Sequence, residues 1–213
     1  MGITIHYRGS LTDPIRIEEM ENRVIELATE LGGSPQRWHS TCDHDPQRVV
    51  RGVIVTLRPG QEATSLLVSP EGWLIGLVDI EAAENGELEE PPWCFVKTQF
   101  GPVEGHVALV ELLTCVKDEF IPNLDIHDEG DYYTTRDVET LRQKFTFLQA
   151  AIDGLADGLR QHGLTPEAAE DPEIVAERIQ RIAKSVHQTL GRPPEQTPAP
   201  VDDDSKFKDP PNG

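Results

Sequence analysis

Between Val49 and Ile80 the chain runs through three short β-type segments, "VVRGVIVTL", "TSLLVS" and "GWLIGLVDI", parted by the turn-forming stretches "RPGQEA" and "SPEG". Segments this short, rich in branched apolar residues and bounded by glycine and proline, form strands joined by tight connections. The pattern predicts an antiparallel meander. The rest of the chain has to extend that sheet, pack on it or leave it.

Upstream, "ITIHY" alternates with a period of two and stops at Gly9, which predicts one more strand. Asp13 and Pro14 then supply an N-cap and a favoured first helical residue, and Ile17, Met20, Val24, Leu27 and Leu31 recur three and four apart as one apolar stripe. Gly32 and Gly33 can take the left-handed conformation that ends the helix. The stretch from Glu81 to Pro92 holds five glutamates and two prolines without apolar periodicity, and it reads as an exposed loop before the strand "WCFVKTQF". Gly101 and Pro102 open a second helix whose Leu109, Leu112, Leu113, Val116 and Phe120 share one side. A short strand is expected at Leu124 to Ile126. Helices intermixed with strands around a largely antiparallel sheet define an α+β fold over residues 1–133, with two helices packed on the sheet as a two-layer sandwich.

A different architecture begins at Thr134. Thr134 and Asp137 stand in capping-box relation, and Val138, Leu141, Phe145, Leu148, Ile152, Leu155 and Leu159 alternate spacings of three and four, the pattern of a coiled-coil seam. Beyond Gly163 the spacing recurs at Val175, Ile179, Ile182, Val186 and Leu190, so residues 134–190 read as an antiparallel helical hairpin. The echo "DGLADGL" puts Gly154 and Gly158 on one face, where a second helix can come close. Residues 191–213 contain six prolines and the run Asp202 to Asp204, which predicts a disordered acidic tail.

The chain carries 38 acidic against 19 basic side chains, a formal charge of −19. Such a surface repels phosphate backbones and anionic lipid and attracts basic proteins, so neither nucleic acid nor membrane is an expected partner. Cys42, Cys94 and Cys115 are an odd number at wide spacing, and no N-terminal apolar run resembles a signal peptide or a spanning helix. These features together read as a reduced, cytoplasmic chain.

Three clusters carry residue types that can do chemistry. In "IPNLDIHDEGDYYTTRD" the residues His127, Asp128 and Glu129 follow a predicted strand and could act as acid/base groups or hold a metal. The competing reading is an exposed acidic turn before a helix N-terminus, where carboxylates are favoured by the dipole. In "WHSTCDHD" His39, Cys42 and His44 offer three nitrogen or sulfur ligands within six residues, but a fourth ligand is missing locally and only a distant residue such as Cys94 could complete the set. In "KTQFGPVEGH" Lys97 and Gln99 lead toward a helix N-terminus that presents donors to an anion. His106 falls almost in line with Leu113 and is expected to face the sheet as a neutral buried histidine. No GxSxG elbow, HExxH or kinase signature occurs, and no cofactor is expected.

The segments "EGWLIGL", "PPWCFVKTQFGP" and "DEGDYYTTRD" together resemble a family of bacterial proteins with no assigned activity. The resemblance spans roughly residues 1–160 and implies an intracellular α+β domain without transferring any catalytic residue. Two functions are compatible with these features. One is a non-catalytic adaptor or regulatory protein that meets a protein partner, or a second copy of itself, through its acidic surface and the Val138 to Leu159 seam. The other is a metal-assisted hydrolase or small-ligand-binding enzyme built on His127, Asp128 and Glu129, with Lys97, Gln99 and His106 contacting substrate.

Overall fold

The computed structural model describes residues 2–161 and 172–191. Seven strands form two antiparallel sheets in an α+β arrangement. The first sheet places β1 (Thr4–Arg8) between β6 (Cys94–Lys97) and β7 (Asp125–Asp128). The second is the meander β2 (Ser34–Thr41), β3 (Val49–Thr56), β4 (Thr64–Val68) and β5 (Leu74–Ile75). Helices α1 (Ile17–Glu30) and α3 (Val103–Glu119) share one core with the inner faces of both sheets.

The period of two dictates how that core is assembled. In β1, Ile5 and Tyr7 point inward while His6 and Arg8 point out, and in β6 Cys94 and Val96 point inward while Phe95 and Lys97 point out. Met20, Val24 and Ala28 of α1 and Leu109, Leu112, Leu113 and Val116 of α3 meet Val53, Val55, Leu66 and Val68 of the second sheet. The sheets are tied together at two points. Tyr7 Oη donates to the Ser65 carbonyl at 2.6 Å, and the chain after β1 forms a bridge from Ser10 to Trp73. The antiparallel strands thus make two sheets around a common core instead of a single one.

Several local expectations need correction. The first half of "WHSTCDHD" belongs to a strand that the sequence pattern did not predict, since Ser34–Thr41 pairs with β3 over all eight residues. The third β-run is strand only at Leu74–Ile75, and Leu77–Asp79 turns into a single 3-10 turn. Beyond it Ile80–Asn85 is a helix, α2, where an exposed loop was expected. Ile80, Ala83 and Leu88 explain the difference, because they close a second small core with Trp38, Val50, Leu67 and Ile75 on the outer face of the meander. Gly86, in the left-handed conformation at φ 72°, ends the helix.

Past β7 a single helical turn, α4 (Tyr132–Thr135), precedes α5 (Val138–Gln161). Thr134 is therefore inside α4 and does not cap α5. Arg136 adopts a left-handed conformation at φ 56° that separates the two helices, and the Asp137 carboxylate caps α5 by accepting from the backbone N–H of Glu139 and Thr140 at 2.9 and 3.1 Å. Helix α6 (Pro172–Leu190) packs on α5, with Gly154 facing Val186 and Gly158 facing Ile182, which makes the pair antiparallel. The proposed tail lies outside the described residues except for Gly191. No helix among the described residues is long and apolar enough to cross a membrane.

Candidate functional site

Strand geometry splits the cluster that looked most chemical in the sequence. Neighbouring residues of β7 point to opposite faces, so Asp128 turns into the core while His127 and Glu129 stay on the outside. Two separate groups result.

The inner group joins Thr98, His106 and Asp128. Thr98 Oγ1 lies 2.7 Å from His106 Nδ1, and His106 Nε2 lies 3.1 Å from Asp128 Oδ1, bent too far for an aligned hydrogen bond. Asp128 Oδ1 also accepts the Gly130 N–H at 2.6 Å, and Oδ2 accepts the Tyr133 N–H at 2.9 Å. Burial pushes the Asp128 carboxyl up, but the adjacent imidazole and the two backbone donors outweigh it and hold the group below the usual carboxylate value. A hydroxyl, an imidazole and a carboxylate in a row resemble the order of an acyl-transfer triad. Thr98 and His106 are both wholly inaccessible, however, and Phe145 and Tyr132 stand edge-on to the imidazole, so no substrate can meet the hydroxyl. The group instead fastens β6, α3 and the turn after β7 to one another.

Its surroundings account for the remaining residues of the acidic turn. A Cβ on Gly130 would strike Leu141, His106 and Asp128 within 3 Å, so only glycine fits there. Asp131 pairs with Lys144, whose side chain is almost fully buried, and Tyr132 is buried against the core. The crowded stretch is therefore divided: Asp128, Gly130 and Tyr132 form a buried junction, while His127 and the residues from Thr134 to Asp137 are exposed.

The other sequence candidates disperse. Gln99 Oε1 accepts the Ile3 N–H at 2.7 Å and so ties down the N-terminus, Lys97 points to the outer face of β6, and His106 is buried. The cleft of about 270 Å³ between α3 and the start of α5 is bordered by Val103, Val107, Val138, Arg58 and Arg142, and none of those three residues reaches it. His39 and His44 are exposed, while Cys42 is buried with Sγ near the Asn85 amide oxygen. Burial, reinforced by Asp79, pushes the Cys94 thiol up to about 12, which disfavours the thiolate a metal would need. Among the described residues, no three His, Cys, Asp or Glu side chains already stand together as metal ligands.

The seam on α5 is divided between two neighbours. Leu141 is completely buried in the main core, with Val138 and Phe145 packed beside it, and Leu148 is buried as well. Farther along, Leu155 and Leu159 are half-buried on the helix that receives α6, and Ile152 and Ile179 remain 40% exposed.

A feature that sequence reasoning missed lies at α2. Leu77 and Val78 are 46% and 83% exposed at the entrance to this helix. Around and beyond them come Glu81, Glu84, Glu87, Glu89 and Glu90, and none of the five makes an ion pair among the described residues. Arg48 stands beneath this ridge but is committed elsewhere: it donates to the carbonyls of Ala83 and Glu84 at 2.8 and 2.7 Å and pairs with Glu71. The available signal was a pair of apolar residues directly before a glutamate run. The chain matches no protein-family model, no curated protein and no solved structure.

Proposed function

We propose that the protein is a non-catalytic binding module that docks a basic protein partner on the α2 ridge, with Leu77 and Val78 as the apolar centre and the glutamates as the rim. The observation that carries this reading is the exposure of two adjacent aliphatic side chains beside five carboxylates that have no ion-pair partner among the described residues. An apolar centre inside a charged rim is how protein interfaces combine affinity with selection of partner charge. The formal charge of −19 extends the same preference over longer range by steering cationic partners. The α5 seam contributes less than its sequence suggests, because its first half is occupied by the chain's own core.

The test is affinity capture from the native cell at low and high salt. It compares the wild type with Leu77→Ser/Val78→Ser and with Glu81→Lys/Glu84→Lys. The expected result is one captured basic protein, released by added salt and absent with both variants. A captured set that neither variant alters would overturn the reading.

A further inference from the structure

We propose that His6, His127 and Glu129, on the open face of the three-stranded sheet, form a binding site for a divalent first-row transition ion, with zinc the foremost candidate. The register of β1 and β7 pairs His6 directly with His127. Both imidazoles point away from the core, and their ring centroids are 6.0 Å apart. Glu129 lies two residues beyond His127 on the same face, with Oε1 3.8 Å from His6 Nε2. Its other oxygen accepts the Thr4 N–H at 2.9 Å, which orients the carboxylate and leaves Oε1 free. This proposal is independent of the α2 ridge.

The distances are close to those that an ion requires. Ligand bonds of about 2.0–2.2 Å in a tetrahedral site put two donor atoms roughly 3.4 Å apart and two imidazole centroids roughly 5 Å apart. The His6–His127 and His6–Glu129 pairs need closures of about 1 Å and about 0.4 Å from these values, within reach of rotation about partly exposed side-chain bonds. The donors are thus neighbours that an ion would draw in. Two imidazoles and one carboxylate suit zinc, copper or nickel and not calcium or magnesium, which prefer all-oxygen sets. The remaining coordination positions face water.

The nearby charges do not block the site. Arg8, two residues from His6, is directed to Asp125 at 3.8 Å and stacks over Trp93 at 4.5 Å. Lys97 is paired with Thr4 from the opposite side of β1, away from β7. Phe95 is the neighbour of His6 on that side and adds an apolar wall, with ring centroids 6.4 Å apart.

The test is calorimetric titration of the full chain, stripped with EDTA, using zinc chloride at pH 7.5 and again at pH 5.5. The expected result is one site of micromolar Kd, weakened at least about tenfold by His6→Ala, by His127→Ala and by Glu129→Gln. The glutamine keeps an acceptor for Thr4, and circular dichroism of each variant checks that the fold persists. Binding should fade at pH 5.5, since imidazole ligands must be neutral. His39→Ala should change nothing, because His39 lies in the other sheet. Zinc affinity no tighter than about 1 mM, or wild-type affinity in folded His6→Ala and His127→Ala, would overturn the proposal.

Discussion

At the scale of single residues, Asp128 and His127 show how far one step along a strand changes a side chain's role. The Asp128 carboxylate is buried and accepts two backbone N–H groups. Asp128→Asn sets an amide N–H₂ against at least one of those donors and should cost about 2–3 kcal/mol in urea denaturation at pH 7. His127→Ala, at an exposed position, should stay within about 0.5 kcal/mol. The pH dependence has a definite sign. Because folding holds the Asp128 carboxyl below its usual value, its contribution is complete above the ordinary range near pH ~4 and is lost as pH falls through the lower folded value. The gap between wild type and Asp128→Asn should therefore narrow below about pH 4, and a gap that stays constant would show that charge is not what the site requires. The split did not show in the sequence, because the strand was expected at Leu124 to Ile126 with all three residues in the loop beyond; it follows from period two only once β7 runs to Asp128. The partner of His127 was not legible either. That needs the register of β1 against β7, which neither strand's own pattern encodes.

At the scale of elements, legibility followed the amount of apolar surface each one buries. Helices α1 and α3 each bury a stripe of several large side chains and stood out accordingly, although Asp13 caps the 3-10 turn Pro14–Arg16 that leads into α1 and not α1 itself. Helix α2 has six residues with only Ile80 and Ala83 turned to its small core, too few for any period to show among the glutamates. Strand β2 is an edge strand whose outward residues are exposed, so "SPQRWHST" lacks the alternation of a half-buried strand apart from Trp38. The closeness of α5 and α6 was readable because it depends on glycine. A Cβ on Gly158 would lie 2.3 Å from Ile182 Cγ2. Gly158→Leu introduces a better helix former, so any loosening of the pair reports the clash and not weaker helix propensity. Amide exchange in α6 should accelerate at least about tenfold, while that of α1 and α3 stays as in the wild type. Unchanged exchange in α6 would mean that the helices do not rely on that close approach.

At the scale of the whole molecule, the charge and the fold point the same way. A core shared by two sheets and two helices takes in His106 and Asp128, and it leaves outside a ridge of glutamates around two aliphatic side chains. Most arginines with identified partners are spent internally, as where Arg37 and Arg51 converge on the buried Glu21 and hold β2 and β3 to α1. They therefore do little to neutralise the ridge. The measurement that addresses its role most directly is site-specific photocrosslinking in the native cell. A benzophenone side chain is placed at Val78 on the ridge and, in a separate protein, at Phe95 on the open sheet face. Both positions are exposed, at 83% and 53%, so probe access is not the variable. The ridge account predicts a single dominant adduct to a basic protein from position 78, suppressed by Glu81→Lys/Glu84→Lys, and no such adduct from position 95. An adduct formed only from position 95, or one from position 78 that the charge reversal leaves intact, would contradict it.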